Sequence, residues 1–295
     1  MGWKKIIPGE IPTVDLHQFI LGSVAPRPIA FVSTLDENGK ANLAPYSFFN
    51  AFSSNPPIVV FSSNRRVADN STKDTLHNIR ETGEAVINVV NYEIVRQMTL
   101  TSIEYESAIS EFDKSGLTPI SSSMVKPFRV KESPVQMECR VKEIITLGDQ
   151  GGAGHLIICD VLCMHINEDV LSEKGRIDPH KIDLMGRMGR FYYVRASGNA
   201  VHEIMQRVNE KGIGFDALPE SLRTSKFLTG NEIAELAACT TLPDSKTLDA
   251  LRADKEILKA LEKGKQTDSL HLIVRIELEN GNREKALGVG MLASW

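Results

Sequence analysis

The residues with chemistry to offer fall in four short stretches. Arg27, Ser33, Thr34, Asn42, Ala44, Pro45, Tyr46, Ser47 and Asn50 crowd the first. Hydroxyls, amides and freed backbone N–H groups grouped in this way can converge on a flat polar ligand or on a phosphate. The same composition also suits the solvated edge of a hairpin, because Ser, Asn and Gly are ordinary turn residues. The second stretch is Ser71-Thr72-Lys73-Asp74-Thr75, ahead of Leu76 and Ile79 at helical spacing. Ser71 and Asp74 stand where an N-cap and its capping-box partner belong. A helix start exposes unpaired N–H groups and a partial positive charge, so with Lys73 beside it this stretch is either a phosphate site or a capped surface helix. His155, the third, opens a strand after a glycine-rich turn, where a histidine is either a reactive group or an incidental donor. In the fourth, Arg187 and Arg190 lie among Gly186, Gly189 and Phe191. Two arginines on a glycine-flexed loop suit phosphate or carboxylate and an aromatic can flank a planar ring, or the stretch is an exposed basic turn.

The elements that position these residues are mostly strands. Ile29 to Val32 is an apolar strand, Asp36-Glu37-Asn38-Gly39 a tight turn and Asn42 to Asn50 its return, which together predict a β-hairpin. Asn55-Pro56-Pro57 is a turn into the buried-strand run Ile58 to Phe61, which ends in a polar loop from Ser62 to Arg66. Ala85 to Val90 is a further strand, and Tyr92 to Phe112 shows two stretches of helical periodicity. Val135, Met137, Cys139 and Val141 alternate with polar residues as in a half-buried antiparallel strand. The turn from Asp149 to Gly154 leads into a partner strand from His155 to Ile166, so its glycines form a hairpin loop and not a nucleotide fingerprint. Beyond Ser197-Gly198 the pattern turns helical over Ala200 to Val208, Pro219 to Lys226, Asn231 to Cys239 and Ser245 to Lys263. Leu270 to Leu278, Asn280-Gly281 and Ala286 to Leu292 then read as a closing β-hairpin.

Composition narrows the function classes. Thirty-four basic side chains against 38 acidic ones leave a net charge of −4 with no long basic run, which argues against nucleic acid as a partner. A chain of 295 residues with 42% hydrophobic content can build a sizeable core. No stretch approaches the roughly 20 consecutive apolar residues of a membrane span, and no apolar signal core follows the first residues, so a cytoplasmic protein without membrane contact is expected. Cys139, Cys159, Cys163 and Cys239 lack zinc or redox spacing, and Cys159 and Cys163, four apart on one strand, are expected on one face but too distant for a disulfide. No metal site is expected.

Taken together, Pro26-Arg27-Pro28-Ile29-Ala30-Phe31-Val32-Ser33-Thr34, Gly39, Asn42-Leu43-Ala44-Pro45-Tyr46-Ser47-Phe48-Phe49-Asn50, Pro56-Pro57 and Lys73-Asp74-Thr75 with Asn78 resemble the flavin reductase-like family of FMN-binding split barrels, which includes the flavoredoxins. The resemblance covers about residues 1–197. It implies a mainly β (α+β) fold, a small antiparallel split barrel with flanking helices, usually a homodimer, with FMN near the subunit interface. Residues 198–295 are then a C-terminal helical and β-hairpin extension expected to pack on the barrel. By the same resemblance Ser33, Thr34 and the segment Ala44, Pro45, Tyr46 and Ser47 line the isoalloxazine and ribityl chain, with Arg27 and Asn50 also in the cofactor site. Lys73, Asp74 and Thr75 match the phosphate side, His155 the histidine near the flavin, and Arg187 to Phe191 the loop closing over it.

Chemistry agrees with those roles: a flavin needs donors to its carbonyl oxygens and N5, a cationic phosphate pocket, and a donor or positive charge that stabilises the reduced ring, for which His155 is the candidate catalytic residue. The expected function is an FMN-dependent oxidoreductase passing electrons from NAD(P)H or a protein donor to a second, unnamed acceptor. The alternative is a flavin-binding or storage protein without turnover. Absence of a βαβ dinucleotide fingerprint means NAD(P)H would stack transiently on the flavin.

Overall fold

The computed structural model describes residues 2–106, 109–204, 209–262 and 266–293. They form two compact units, Met1–Glu203 and Ile204–Trp295.

In the first unit, helix α1 (Thr13–Ser23) leads into four strands, β1 (Ala30–Leu35), β2 (Ala41–Tyr46), β3 (Phe49–Ser54) and β4 (Pro57–Asn64). Helix α2 (Asp74–Thr82) and strand β5 (Glu84–Val89) follow, then the short helices α3 (Val95–Leu100) and α4 (Glu111–Ser115). Two-residue strands β6 (Pro119–Ile120) and β7 (Arg129–Val130) precede the long hairpin of β8 (Val135–Thr146) and β9 (Gly154–Ile166). Helix α5 (Pro179–Ile182) and the pair β10 (Leu184–Arg187) and β11 (Tyr193–Ala196) complete the unit. Seven strands make one antiparallel sheet in the order β2-β1-β5-β8-β9-β4-β3. Its two edge strands are consecutive in sequence, joined by Ser47 and Phe48, so the sheet must curl until its edges approach, and a seam stays open between them.

The predicted hairpin from Ile29 to Asn50 is present, with β1 and β2 in register from Ala30 opposite Tyr46 to Leu35 opposite Ala41. The Asp36 carboxylate ties its turn by accepting from the N–H groups of Asn38 (2.9 Å) and Lys40 (2.8 Å). Its return is two strands rather than one: the chain breaks direction at Ser47–Phe48 and begins β3. Strand alternation then sorts the side chains. Ala30, Val32, Tyr46, Val59, Phe61, Ile87, Met137, Cys139, Ile157 and Cys159 fill the barrel, whereas Ile29, Phe31 and Leu43 pack outward with Met98 and Phe112. Phe31 and Phe61 are fully buried, each stabilising the fold by about 1.5–3 kcal/mol on area grounds. Cys159 and Cys163 do not share a face as expected. A bulge between Glu138 and Cys139 inserts an extra residue in β9, so Cys163 lies opposite Glu138 while Cys159 stays with the interior cluster.

The second unit is helical among its described residues: α6 (Glu220–Arg223), α7 (Gly230–Ala237), α8 (Ser245–Arg252), α9 (Lys255–Leu261), α10 (Gln266–Glu279) and α11 (Arg283–Leu292). The expected helix from Ser245 to Lys263 is two, divided at Asp254, whose side chain caps α9. The expected helix from Ala200 to Val208 lies partly on 205–208, outside the described residues. The closing β-hairpin is replaced by α10 and α11. Leu270, Leu272, Val274, Ile276 and Leu278 alternate as a strand would, yet Leu270, His271, Val274 and Leu278 are buried while Leu272 and Ile276 are about half exposed, a helical stripe. Gly281, at φ 77°, is the left-handed residue that ends α10 and not a hairpin turn. Glycines in α11 reflect close packing: a Cβ on Gly290 would meet the Leu222 side chain at 2.8 Å.

Candidate functional site

One end of the barrel interior is polar. Asn42 donates through Nδ2 to Thr75 Oγ1 (2.8 Å) and Thr34 Oγ1 (3.3 Å), and Asn78 donates to Thr34 Oγ1 (3.0 Å). This buried network fastens α2 to the β1–β2 hairpin. Tyr46 packs its ring on Phe61 with centroids 5.2 Å apart. Its hydroxyl lies beside those of Thr75 and Ser63 without a hydrogen bond of normal geometry, and burial pushes its pKa up to about 12. Ser63 faces His155 across the β4–β9 register. His155 Nδ1 meets Thr146 Oγ1 at 3.1 Å, and burial, then the charges of Arg80 and Arg65, hold its pKa below the ordinary value.

Tyr46 Oη, Ser63 Oγ and His155 Nε2 are all buried without a hydrogen-bond partner. Native interiors leave few such atoms unpaired.

Lys73 stands at the N-cap of α2, its backbone extended, with Nζ 5.0 Å from the centroid of the Tyr46 ring. Among the described residues no carboxylate comes within ion-pair distance of that ammonium, and burial, then the nearby Arg66 charge, lower its pKa. The expected capping box is absent: Ser71 Oγ donates to Asp69 (2.7 Å) and accepts from Arg66 (2.9 Å), so no side chain caps the first turn of α2. The first-turn N–H groups and Lys73 therefore stand together with Arg66, whose guanidinium is already paired with the Glu104 carboxylate, and the unpaired ammonium beside the helix start suits a phosphate. Asp74 is exposed and lines a cleft of about 270 Å³ with Asp36, Glu37, Glu81 and Glu111, an acidic surface.

At the seam between β2 and β3 a second group forms. The buried Arg27 donates through Nη1 to the carbonyls of Leu21 and Val24 (both 2.6 Å) and through Nε to Ser47 Oγ (3.4 Å). Its backbone pairs with that of Arg187 by two hydrogen bonds of 3.0 and 2.9 Å. Gly186 permits this approach, since a Cβ there would lie 3.3 Å from the Arg27 carbonyl oxygen. Pro45, Tyr46, Ser47, Arg187 and Tyr193 line a cleft of about 150 Å³, and Arg27, Ser47, Phe48, Asn50 and Phe52 line a larger one of about 490 Å³.

Of the residues singled out in the sequence, Thr34, Ala44, Tyr46, Lys73, Thr75 and His155 thus gather around the barrel end, and Arg27, Pro45, Ser47, Asn50 and Arg187 around the seam. Ser33 belongs to neither: one residue along β1 from Thr34, it alternates to the other side, its Oγ buried without a partner. Phe191 is 85% exposed, with the Arg190 guanidinium 5.8 Å from its ring centroid. Sequence reasoning missed Ser63, assigned to a loop, although its spacing from Val59 and Phe61 places it on the same face of β4. It also missed Arg66.

Glu138, Cys163 and His165 form a separate cluster whose ligand atoms lie within 4.8 Å of one another. The carboxylate is already engaged, accepting from the N–H groups of Ser123 (2.8 Å) and Met124 (2.5 Å) and meeting His165 Nε2 at 2.6 Å. It works as a clasp for the 121–127 loop.

A curled antiparallel sheet whose edge strands meet at an open seam is a split β-barrel. The sequence model of the flavin reductase like domain matches residues 21–190, more than half of the chain, and the protein belongs to that family, whose chemistry is flavin redox chemistry. A protein of Aquifex aeolicus is 38% identical over 183 residues, 62% of this chain and 91% of the relative. Nitrilotriacetate monooxygenase component B from Bacillus cereus superposes with a TM-score of 0.64 at 31% identity, over 70% of this chain and 99% of that one. The 2-nitrobenzoate 2-nitroreductase NbaA of Pseudomonas fluorescens gives 0.59 at 29% identity, over 69% and 97%. Among the described residues no helix is long and apolar enough to cross a membrane.

Proposed function

We propose that the protein is an FMN-dependent oxidoreductase of flavin reductase or flavoredoxin type, taking electrons from NAD(P)H or a protein donor and passing them to a second acceptor. The observation that carries this reading is Lys73, a half-buried ammonium without a carboxylate partner at the uncapped start of α2, over the ring of Tyr46. That donor set fits a flavin monophosphate. Lys73, the first N–H groups of α2 and the Thr75 hydroxyl would hold the phosphate, while the chain from Ala44 to Ser47 would lie along the ribityl group and ring. Bound flavin supplies hydride acceptance and onward electron transfer.

His155 is held neutral at pH 7 by its lowered pKa, so it acts there as a hydrogen-bonding group and not as a fixed cation. Among the described residues the main sheet pairs its strands antiparallel, so a nicotinamide donor would dock transiently in the seam clefts. Val24, Phe52 and Leu147, each more than half exposed around the larger cleft, suit burial against a second copy of the chain, and a homodimer is part of the proposal.

The test is the visible absorbance of the purified protein followed by anaerobic mixing with NADH and NADPH. A yellow protein releasing FMN on denaturation and bleaching with either nucleotide is the expected result. A protein that neither carries nor takes up FMN ends this reading, and a yellow protein that no nicotinamide nucleotide bleaches reduces it to electron carriage or storage.

A further inference from the structure

Arg27 and Arg187 face each other across an isolated antiparallel bridge, each donating its N–H to the other's carbonyl. Residues directly opposite in such a pair project to the same side with their Cβ atoms about 4.5–5.5 Å apart, and like charges placed so repel. Burial first and the Arg187 charge second hold the Arg27 pKa below its ordinary value. Among the described residues neither guanidinium has a carboxylate within ion-pair distance. Arg27 is 4% exposed, and although its Nη1 and Nε groups are used, Nη2 is buried without any partner. Arg187 spends one N–H on Tyr193 Oη (2.6 Å) and one on the Arg190 carbonyl (2.7 Å), which fixes its plane over the Tyr193 ring and leaves donors to spare. Arg27 lines the larger seam cleft and Arg187 the smaller, with Ser47 common to both, so two mutually repelling guanidinium groups without an acid flank the point where the clefts meet, and an oxyanion held there offsets the repulsion.

We propose that Arg27 and Arg187 bind the oxyanion of the second substrate, a carboxylate or phosphate oxygen of the planar molecule that exchanges electrons with the flavin. This rests on the flavin reading, and the position supports it: Arg27 holds Ser47, the residue next to Tyr46, and Arg187 lines the cleft that contains Pro45, Tyr46 and Ser47. The two arginines therefore serve the substrate, and the flavin phosphate belongs to Lys73.

The experiment uses the FMN-loaded protein and two matched probe pairs, benzoate against benzamide and nicotinamide mononucleotide against nicotinamide riboside, read by perturbation of the flavin spectrum and by thermal shift at constant ionic strength. At least one anionic probe should bind about tenfold or more tightly than its partner lacking the anion, the size expected of charge-assisted forked contacts. Which pair discriminates tells carboxylate from phosphate. Because Arg27 also ties down the carbonyls of Leu21 and Val24, the variant is the half-exposed Arg187→Gln, with Arg187→Lys for comparison. Arg187→Gln should abolish the preference, and Arg187→Lys should restore part of it. No preference in either pair, or a preference that survives Arg187→Gln, overturns the proposal. So does a fall in FMN affinity in Arg187→Gln that matches the fall in anion affinity, since the arginines would then serve the flavin. Absence of FMN from the wild-type protein is a separate result that removes the flavin reading, and the thermal-shift comparison still reports whether the arginine pair takes an anion.

Discussion

Replacing Lys73 by Met should cost FMN affinity by an amount the structure bounds. The methionine keeps an unbranched stem against Tyr46 and removes only the ammonium, now 5.0 Å from the ring centroid. A charge-assisted contact to a phosphate contributes about 1.5–3 kcal/mol, and at 1.4 kcal/mol per factor of ten this is a loss of roughly 10- to 150-fold. The lower half of that range applies, since Lys73 is only partly buried and the N–H groups of α2 remain to hold the phosphate. The assay is quenching of flavin fluorescence as FMN is titrated with apoprotein, repeated with riboflavin, which lacks the phosphate. The wild type should prefer FMN over riboflavin, and Lys73→Met should narrow that preference while leaving riboflavin affinity unchanged. Raising salt from 0.1 to 1 M shortens the screening length from about 10 to 3 Å and should weaken wild-type FMN binding more than that of the variant. An unchanged FMN affinity, or an equal loss for riboflavin, refutes the assignment of Lys73 to the phosphate.

His155→Gln should leave FMN affinity within about threefold and shift the rate or potential of flavin reduction, measured by anaerobic photoreduction against a reference dye; unaltered values remove His155 from the ring's surroundings. The lowered His155 pKa has a sign: the unfolded chain binds the proton more readily, so this part of the stability is intact above about pH 6.5 and is lost as pH falls. Wild-type stability should thus fall more steeply between pH 7 and 5 than that of His155→Gln in urea titrations. In the second unit, the Arg275 hydrogen bond and the Thr229 capping box pull Glu232 down to about 2, so its contribution is full above about pH 4.5 and lost towards pH 2. Glu232→Gln should cost about 1 kcal/mol at pH 7, a figure discounted because Arg275 is partly solvated, and nothing near pH 2. Gly290→Val should destabilise the same unit by about 1–3 kcal/mol through overpacking on Leu222, read as a lower melting temperature.

How much was legible follows from where each signal lives. The strands with strict alternation or continuous apolar runs, such as Val135 to Ile145 and Ile58 to Phe61, were readable because packing on one face of a sheet writes itself into the sequence at period two. The tail was misread by the same rule. Leu270 to Leu278 alternates by accident of a helix that buries Leu270, Val274 and Leu278 and leaves Leu272 and Ile276 outside. The bulge that turns Cys163 away from Cys159 has no residue signature, and the break at Ser47–Phe48 is set by sheet closure. Within the site, Lys73, Tyr46 and Thr75 were found through motif and meet in space, whereas Ser33 was grouped with Thr34 by proximity in sequence, which alternation makes a poor guide to proximity in the fold. Ser63 and Arg66 carry no local mark of their own.

The break at Ser47–Phe48 also explains why two kinds of chemistry lie back to back. Because the two edge strands are neighbours in the chain, the curl that buries Tyr46 in the barrel beside Phe61 turns Ser47 to the seam, against Arg27. A single peptide unit therefore separates a face aimed at Lys73 and the start of α2 from a face aimed at the Arg27–Arg187 bridge. Cofactor phosphate and substrate oxyanion both carry negative charge, and a shared pocket would set them against each other. Dividing the cations between the two sides of one strand would let both bind at once.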